Sequence, residues 1–212
     1  METVGSLEGG KQSNFSQCMT KEKKLKKLNL GCGEHHKEGY VNLDWQPLTK
    51  PDVSHNLNKF PYPFEDNSFD LVEAYHILEH LDKPFVVMKE MHRILKPGGK
   101  LRIKVPHFSR GFTHAEHVHG FDVTFPLYFN KDFTTSGFYG VEYGLKKMTL
   151  HWMAFFHLLP YMGYGQFVIG TARAISAVIS GVANLSPSLC SRIWCYWVGG
   201  FEEIEFEFIC KK

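Results

Sequence analysis

The 212-residue chain is long enough for one domain with a sizeable hydrophobic core. Its 24 basic and 22 acidic residues nearly balance, so net charge gives no indication of nucleic-acid binding. The five cysteines are odd in number and lack Cys-x-x-Cys spacing, a pattern typical of reduced thiols in the cytoplasm. Residues 1–22 are polar and have no apolar signal-peptide core, so we expect a disordered tail before a single domain over 23–212.

The first predicted elements enclose a glycine turn. Leu28 and Leu30 indicate a short strand, Gly31-Cys32-Gly33 a tight turn, and residues 40–43 a second strand that ends at Asp44. Glycines allow a ligand to approach the backbone, and an acid at the tip of the next strand can accept hydrogen bonds from ribose hydroxyls. The stretch therefore predicts a nucleoside site, with Cys32 chosen for its small side chain in the turn.

The spacing within this stretch separates two nucleoside cofactors. A dinucleotide site has a third glycine where this chain has His36, and its acid lies about 20 residues further on. Asp44 follows Gly33 so closely that a helix able to cap a pyrophosphate hardly fits between them. The sequence thus favours S-adenosylmethionine (SAM) over NAD, and an NAD-linked oxidoreductase remains the less favoured alternative.

The next segments continue the sheet. Trp45 is expected either to stack on the adenine or to pack beside it, and 52–56 can form a short third strand. FDLVEAY (69–75) predicts a strand with His76 at its carboxyl end, the edge where open α/β sheets bind ligands. A short helical face over 77–81 follows.

A longer helix and a strand come next. Asp82 and Pro84 indicate a helix start, apolar residues recur at helical spacing to Leu95, and Lys96-Pro97-Gly98-Gly99 predicts a turn. KLRIKV (100–105) alternates strictly, which indicates a strand covered on one side or basic side chains that extend to solvent. This alternation of elements is typical of a parallel, helix-covered sheet.

Four ordered motifs between about 26 and 106 resemble class I SAM-dependent methyltransferases, especially small ones associated with glycan and cell-surface biosynthesis. They are LNLGCG, VNLD, FPYPFEDNSFDLVEAYHILEHL and MKEMHRILKPGGKLRIKVP. The resemblance implies an α/β, doubly wound, Rossmann-like sheet of seven strands. Its last strand would be antiparallel, and IEFEFIC (204–210) is the candidate.

The resemblance also implies roles for site residues. The turn of Gly31, Cys32 and Gly33 would line the methionine part of SAM, and Asp44 would hold the ribose. Two departures are the absence of an acid before the first glycine and an asparagine, which can still bond the adenine, where aspartate is common. The remaining implied contacts are Asn56, Leu57 and Trp45 at the adenine, and Tyr75 and His76 near the sulfonium.

A histidine-rich stretch follows the fifth strand, on the substrate side of such a fold. His107 and His114 are our candidates for a general base that takes the proton of an acceptor hydroxyl. A metal site of His114, Glu116 and His117 is an alternative, but no cysteine or second carboxylate stands at suitable spacing, so no metal is predicted. The other alternative is that these histidines orient loops and pack against phenylalanines.

The C-terminal third is predicted to carry an apolar helical insertion over 151–198. A helix start is expected at 132–135 and a sixth strand at KKMTLHWM (146–153). Residues 152–172 lack Asp, Glu, Lys and Arg, but Pro160 and three glycines interrupt them, and a membrane span would separate two strands of one sheet. We expect the insertion to cover the site, pair with a second subunit, or rest on a membrane.

The resemblance implies a methyltransferase that acts on an oxygen of a small-molecule or saccharide (glycan) acceptor. The alternative from another class is a non-catalytic protein of the same fold that serves as a partner subunit. We expect a cytoplasmic location, with peripheral membrane contact or a homodimer through 151–198 as options.

Overall fold

The computed structural model describes residues 25–110, 114–133 and 137–212, and contains one seven-stranded sheet. The expected tail over 1–22 lies outside the described residues, as do Thr134 and Thr135 of the expected helix start. The strands are β1 (Lys27–Leu30), β2 (Val41–Asp44), β3 (Val53–Ser54), β4 (Phe69–Tyr75), β5 (Leu95–Pro106), β6 (Glu142–His151) and β7 (Glu203–Lys211).

The strand order is β3-β2-β1-β4-β5-β7-β6. Strands β1 to β5 pair in parallel, and β7 lies antiparallel between β5 and β6. The implied seven-stranded Rossmann-like sheet with an antiparallel final strand is therefore confirmed. The order reverses between β1 and β4, and the crevice at such a switch point is where open α/β sheets bind ligands.

Helices and short helical turns connect the strands. The predicted long helix is α1 (Pro84–Ile94), whose buried side chains include Val87, Met88 and Met91. The turn expected at 96–99 is instead a bulge within β5, which already pairs with β4 at Leu95. The other elements are α2 (Gln166–Ala183), α3 (Pro187–Leu189), 3₁₀ turns at Pro47–Thr49, Leu78–His80, Phe125–Phe129, Phe156–Met162 and Cys195–Val198, and a π turn at Cys190–Trp194.

The two faces of the sheet differ in chemistry. Leu101, Ile103 and Val105 of β5 are fully buried on the face that packs against α1 and Phe125–Phe129. The basic residues between them pair with acids on neighbouring strands, as in Arg102 with Glu73 at 3.3 Å. The alternation of β5 therefore reflects cross-strand charge pairing. One polar row crosses six strands through Asn42, Asn29, Glu73, Arg102, Glu207 and Lys147.

The apolar helical insertion is present before β7, and polar side chains join it to the sheet. Asn184 accepts a hydrogen bond from the Leu150 N–H and donates one to the Leu150 carbonyl, both at 2.8 Å. Ser180 Oγ accepts a bond from the Trp152 N–H at 3.0 Å. Serines of α2 and Asn184 just after it occupy the inner side, whereas Phe167, Val168, Ile175, Val178 and Val182 are exposed on the outer side.

Candidate cofactor and acceptor site

The two glycines of the first turn have different tasks. Both have positive φ, +69° at Gly31 and +50° at Gly33, which favours glycine at each. A Cβ at Gly31 would lie 2.5 Å from Ile77 Cγ1, so Gly31 permits close packing within the fold. A Cβ at Gly33 would meet no described heavy atom within 4 Å, so Gly33 borders open space. Gly33 is therefore the position where a ligand can approach the backbone.

Asp44 ends β2 beside this turn and is almost fully buried. Its Oδ2 accepts the Gly33 N–H at 2.8 Å, and its Oδ1 accepts the Gln46 N–H at 2.9 Å. A carboxylate has about four acceptor positions, so two remain for a ligand. The geometry suits a pair of ribose hydroxyls.

A cleft of about 230 Å³ adjoins Asp44. It brings together three predicted cofactor residues with side chains from the segment after β4. Trp45 is 62% exposed at its rim, where its indole face is open to stacking. The cleft is lined by Trp45, Asn56, Leu57, Asn58, Ile77, His80 and Leu81.

Cys32 is buried in the turn between the two glycines. Burial, and next the charge of Asp44, raise the pKa of its thiol. The thiol is thus protonated at neutral pH and is a poor nucleophile. Its small size suits it to the turn, as expected.

Tyr75 ends β4 and has polar partners on the sheet. Its hydroxyl donates to Glu73 Oε1 at 3.1 Å, and Lys37 Nζ lies 4.0 Å from its ring centroid. Those partners belong to the polar face of the sheet, because residues of a strand alternate between faces. Tyr75 does not line the cleft described above, and its contact with the sulfonium region stays a prediction.

His76 follows β4 with a φ of +51°. Its Nε2 lies 2.7 Å from Glu203 Oε2, and its Nδ1 lies 3.5 Å from Glu79 Oε1. Burial lowers the pKa of His76, but the hydrogen bond to Glu203 and the negative charges of Glu203 and Glu79 outweigh it and raise the pKa to about 9. His76 is therefore a cation held between two acids at neutral pH.

His107, one of the two predicted bases, is buried and hydrogen-bonded within the fold. It is fully buried at the end of β5, with Nδ1 hydrogen-bonded to Ser109 Oγ at 2.8 Å and Nε2 to Ser191 Oγ at 2.9 Å. Both ring nitrogens are engaged, so neither is available to an acceptor hydroxyl. The prediction that His107 acts as a base is thus contradicted by its position, which ties β5 to the apolar insertion.

His107 should make stability depend on pH. Burial lowers its pKa to about 4, against 6.5 for an ordinary histidine. As pH falls from 6.5 towards 4, the unfolded chain binds a proton that the folded chain does not, so stability is lost in that range. Between pH 7 and pH 5 we expect the free energy of unfolding to fall by about 2 kcal/mol through this residue.

The check is urea denaturation of wild type and His107→Gln at both pH values. Carboxylates contribute equally to the pH dependence of both proteins. The difference between the two proteins in how far the free energy of unfolding changes from pH 7 to pH 5 is therefore due to His107. Equal changes in the free energy of unfolding for wild type and His107→Gln would contradict the conclusion that His107 is buried in its neutral form.

The other predicted base, His114, is exposed, and its ring lies 4.9 Å from that of His117 and 5.9 Å from that of His80. Its role as a base stays a prediction. Glu79 also lies in this cluster, although it is not among the site residues predicted from the sequence. One donor atom each of Glu79, His80 and His117 lies within 4.8 Å of the others. The sequence feature that could have indicated this cluster is the Glu79-His80 pair in the turn after β4. No local pattern connects this pair with His117, which lies far along the chain.

A second, apolar cavity of about 320 Å³ lies on the other side of these histidines. Arg110 supports its wall by donating to Gly199 O at 2.8 Å and to Glu202 Oε1 at 3.1 Å. His117 lines this cavity, whereas His80 lines the cleft beside Asp44. The apolar lining comes from Pro106, Met153, Phe155, Leu158, Leu159 and Met162.

Known proteins share part of this sequence and the same fold. Residues 43–103 match a family described as a methyltransferase domain. An S-adenosylmethionine dependent methyltransferase from Mesorhizobium loti has the same fold, with a TM-score of 0.50 at 13% identity over 87% of this chain and 90% of that one. Residues 43–103 therefore resemble a methyltransferase domain, and the chain has the fold of a SAM-dependent methyltransferase. The open space at Gly33 and the two spare acceptor positions of Asp44 fit the nucleoside of SAM.

Two curated relatives match this chain over short segments. Demethylmenaquinone methyltransferase of Listeria monocytogenes serotype 4a (strain HCC23) is 36% identical over 69 residues, 30% of this chain and 29% of that protein. Sterol 4-C-methyltransferase of Caenorhabditis elegans is 50% identical over 38 residues, 18% of this chain and 11% of that protein. The chain thus matches less than a third of the length of either relative.

Proposed function

We propose that the protein transfers the methyl group of SAM to an oxygen of a small-molecule or saccharide acceptor that is carried at a membrane surface. The supporting observation is the apolar cavity beside the cofactor cleft, since its lining residues Met153 to Met162 belong to the insertion that exposes a large apolar surface. The two curated relatives, named for menaquinone and sterol methylation, agree with a lipid-borne acceptor.

The site residues divide the work of binding. Asp44 holds the ribose hydroxyls, the backbone at Gly33 borders the methionine part, and Trp45 with Asn56 and Leu57 surrounds the adenine. SAM, when bound, supplies a methyl carbon activated by a positively charged sulfur. The apolar cavity aligns the acceptor, and alignment of two reactants supplies most of what methyl transfer needs.

A proton must leave the acceptor oxygen as it takes the methyl group. The imidazoles between the two cavities belong to His80, His114 and His117, and imidazole is well suited to accept such a proton near neutral pH. We assign this role to His114, which is exposed beside the other two.

The insertion has the chemistry of a surface that contacts lipid. Residues 152–198 contain Arg173 and Arg192 but no Asp or Glu, which favours an anionic membrane. Helix α2 is long and apolar enough to cross a membrane, and only 17% of it is buried in the fold. Large side chains at least 80% exposed belong to Tyr161, Phe167, Leu185 and Trp197.

The position of α2 in the fold favours contact in the plane of the membrane. Strands β6 and β7 flank the insertion and pair over nine positions from Glu142 to His151. One span between them would place paired strands on opposite sides of the bilayer. We therefore propose a cytoplasmic protein that binds the membrane peripherally, and its four described cysteines, all free and buried, agree with a reducing compartment.

Methyl transfer is tested with SAM labelled in its methyl group and a membrane lipid extract. We expect label in the organic phase with wild type and far less with Asp44→Ala at a SAM concentration near the wild-type Kd. Label confined to water-soluble metabolites would overturn the membrane-borne acceptor. SAM binding without transfer to either phase would favour the non-catalytic alternative.

Membrane binding should depend on the exposed apolar side chains. We expect wild type to sediment with vesicles of phosphatidylcholine and phosphatidylserine, and less with phosphatidylcholine alone. Phe167→Ser combined with Trp197→Ser should lower the partition coefficient at least tenfold, since each removes roughly 2 kcal/mol of buried apolar contact.

The matched control is Leu48→Ser, which replaces an 85% exposed apolar residue outside the insertion. It should sediment like wild type. Unchanged sedimentation of the double variant would contradict membrane binding through these side chains. If wild type is a dimer in analytical ultracentrifugation and does not sediment with vesicles, the homodimer is favoured instead.

A further inference from the structure

Glu79 has an unusual environment. Its side chain is fully buried in the turn after β4, yet neither carboxylate oxygen has a hydrogen-bond partner among the described residues. The nearest cation is His76, whose Nδ1 lies 3.5 Å from Oε1, longer than a charge-assisted hydrogen bond. His76 is moreover bonded to Glu203 at 2.7 Å. A buried carboxylate without bonded partners is costly, so a further partner for Glu79 is expected.

Two imidazoles stand next to this carboxylate. One donor atom each of Glu79, His80 and His117 lies within 4.8 Å of the others, and the rings of His80 and His117 are 4.9 Å apart at 72°. The Val118 N–H donates to the Glu79 carbonyl at 3.0 Å. This bond fixes the loop that carries His117 against the turn that carries the other two residues.

We propose that Glu79, His80 and His117 bind a divalent transition-metal ion, for which Zn²⁺ is the appropriate probe. Two imidazoles and one carboxylate are a ligand set of zinc sites that keep an open coordination position. At bond lengths of about 2.0–2.2 Å, two ligand atoms stand roughly 3.4 Å apart, so small side-chain rotations close the present spacing. The ion would give Glu79 a bonded partner that the described residues do not supply.

The location suggests what the open position would take. His80 lines the cleft beside Asp44, and His117 lines the apolar cavity, so the ion would lie where the two cavities meet. An oxygen of the acceptor, or a water, would complete the coordination. This last step rests on the proposed function, whereas metal binding itself does not.

The test is calorimetric titration of the full chain with Zn²⁺ after chelator treatment and dialysis. We expect one site per chain, with affinity reduced roughly 100-fold or more in Glu79→Gln, His80→Asn and His117→Asn, since even supporting residues of metal sites contribute 10–100-fold. The exposed His36→Asn is the matched control and should bind Zn²⁺ like wild type.

The fold of each variant is verified by thermal unfolding and by titration with S-adenosylhomocysteine. Weak binding at several sites, unchanged in Glu79→Gln and His117→Asn, would overturn the metal site. Co²⁺ gives a second readout, because its absorption spectrum should report nitrogen and oxygen ligands in wild type and lose that signature in His117→Asn. Zinc binding without methyl transfer would leave the metal site standing and refute only the proposed function.

Discussion

Replacing Asp44 with alanine is expected to weaken SAM binding by about 100-fold. The carboxylate is the acceptor that the fold leaves available to the ribose, and two hydrogen bonds to a charged group are together worth roughly 3 kcal/mol, about 100-fold in affinity. The variant should also lose stability, because the N–H groups of Gly33 and Gln46 donate to this carboxylate at 2.8 and 2.9 Å.

Two further variants separate binding from folding. Gly33→Ala leaves Asp44 in place but fills the open space at the turn, so it should also reduce SAM affinity at a stability cost of about 1 kcal/mol for its positive φ. Asp52→Asn removes the same charge from a neighbouring site, where Oδ2 accepts the Asn42 N–H at 2.7 Å, and should bind SAM like wild type. Titration with SAM and S-adenosylhomocysteine gives the affinities, and equal values for Asp44→Ala and wild type would refute the ribose assignment.

Much of the fold could be predicted because its signals are local. Glycine spacing at Gly31 and Gly33, alternation along β5 and helical periodicity over α1 each depend on residues close together in the chain. The predicted cofactor residues Asp44, Asn56 and Leu57 follow from where strands end, and they lie near one another in the structure because parallel strands end at one edge. The bulge at 96–99 was missed because a glycine pair predicts a break without telling whether strand pairing continues across it.

Contacts between distant segments could not be predicted. His107 bonds to Ser191, 84 residues away, and His76 to Glu203, 127 residues away. The register of β7 against β5 decides the second contact, and the fold of the apolar insertion decides the first. The histidine stretch showed the right residue types, but only tertiary structure distinguishes a buried imidazole from one that faces a cavity.

The largest expected loss of stability concerns Glu90. This nearly buried carboxylate accepts the Tyr62 N–H at 2.6 Å and bonds Arg93 through two guanidinium nitrogens. Arg93 in turn donates to the carbonyls of Phe64 and Tyr62 at 2.8 and 3.1 Å. The network therefore anchors the loop before β4 to α1, and the Tyr62 hydroxyl links it to Leu57 in the cofactor cleft.

Glu90→Ala leaves the half-buried Arg93 without this partner and the Tyr62 N–H without an acceptor, so we expect a loss of roughly 3 kcal/mol or more in the free energy of unfolding. Asp66→Ala is the sharpest control, because Asp66 binds the same Arg93 at 2.7 Å but its side chain is 68% exposed. An exposed ion pair contributes about 0.5 kcal/mol, and Glu90→Gln, which keeps an acceptor for Tyr62, should fall between the two. Urea denaturation measures all three, and equal losses for Glu90→Ala and Asp66→Ala would mean that burial does not govern this network. Glu90→Ala is expected to cost more than Asp66→Ala because Glu90 and its partners are shielded from water, so a group that loses its partner there stays unpaired. At the exposed Asp66, water replaces the lost partner.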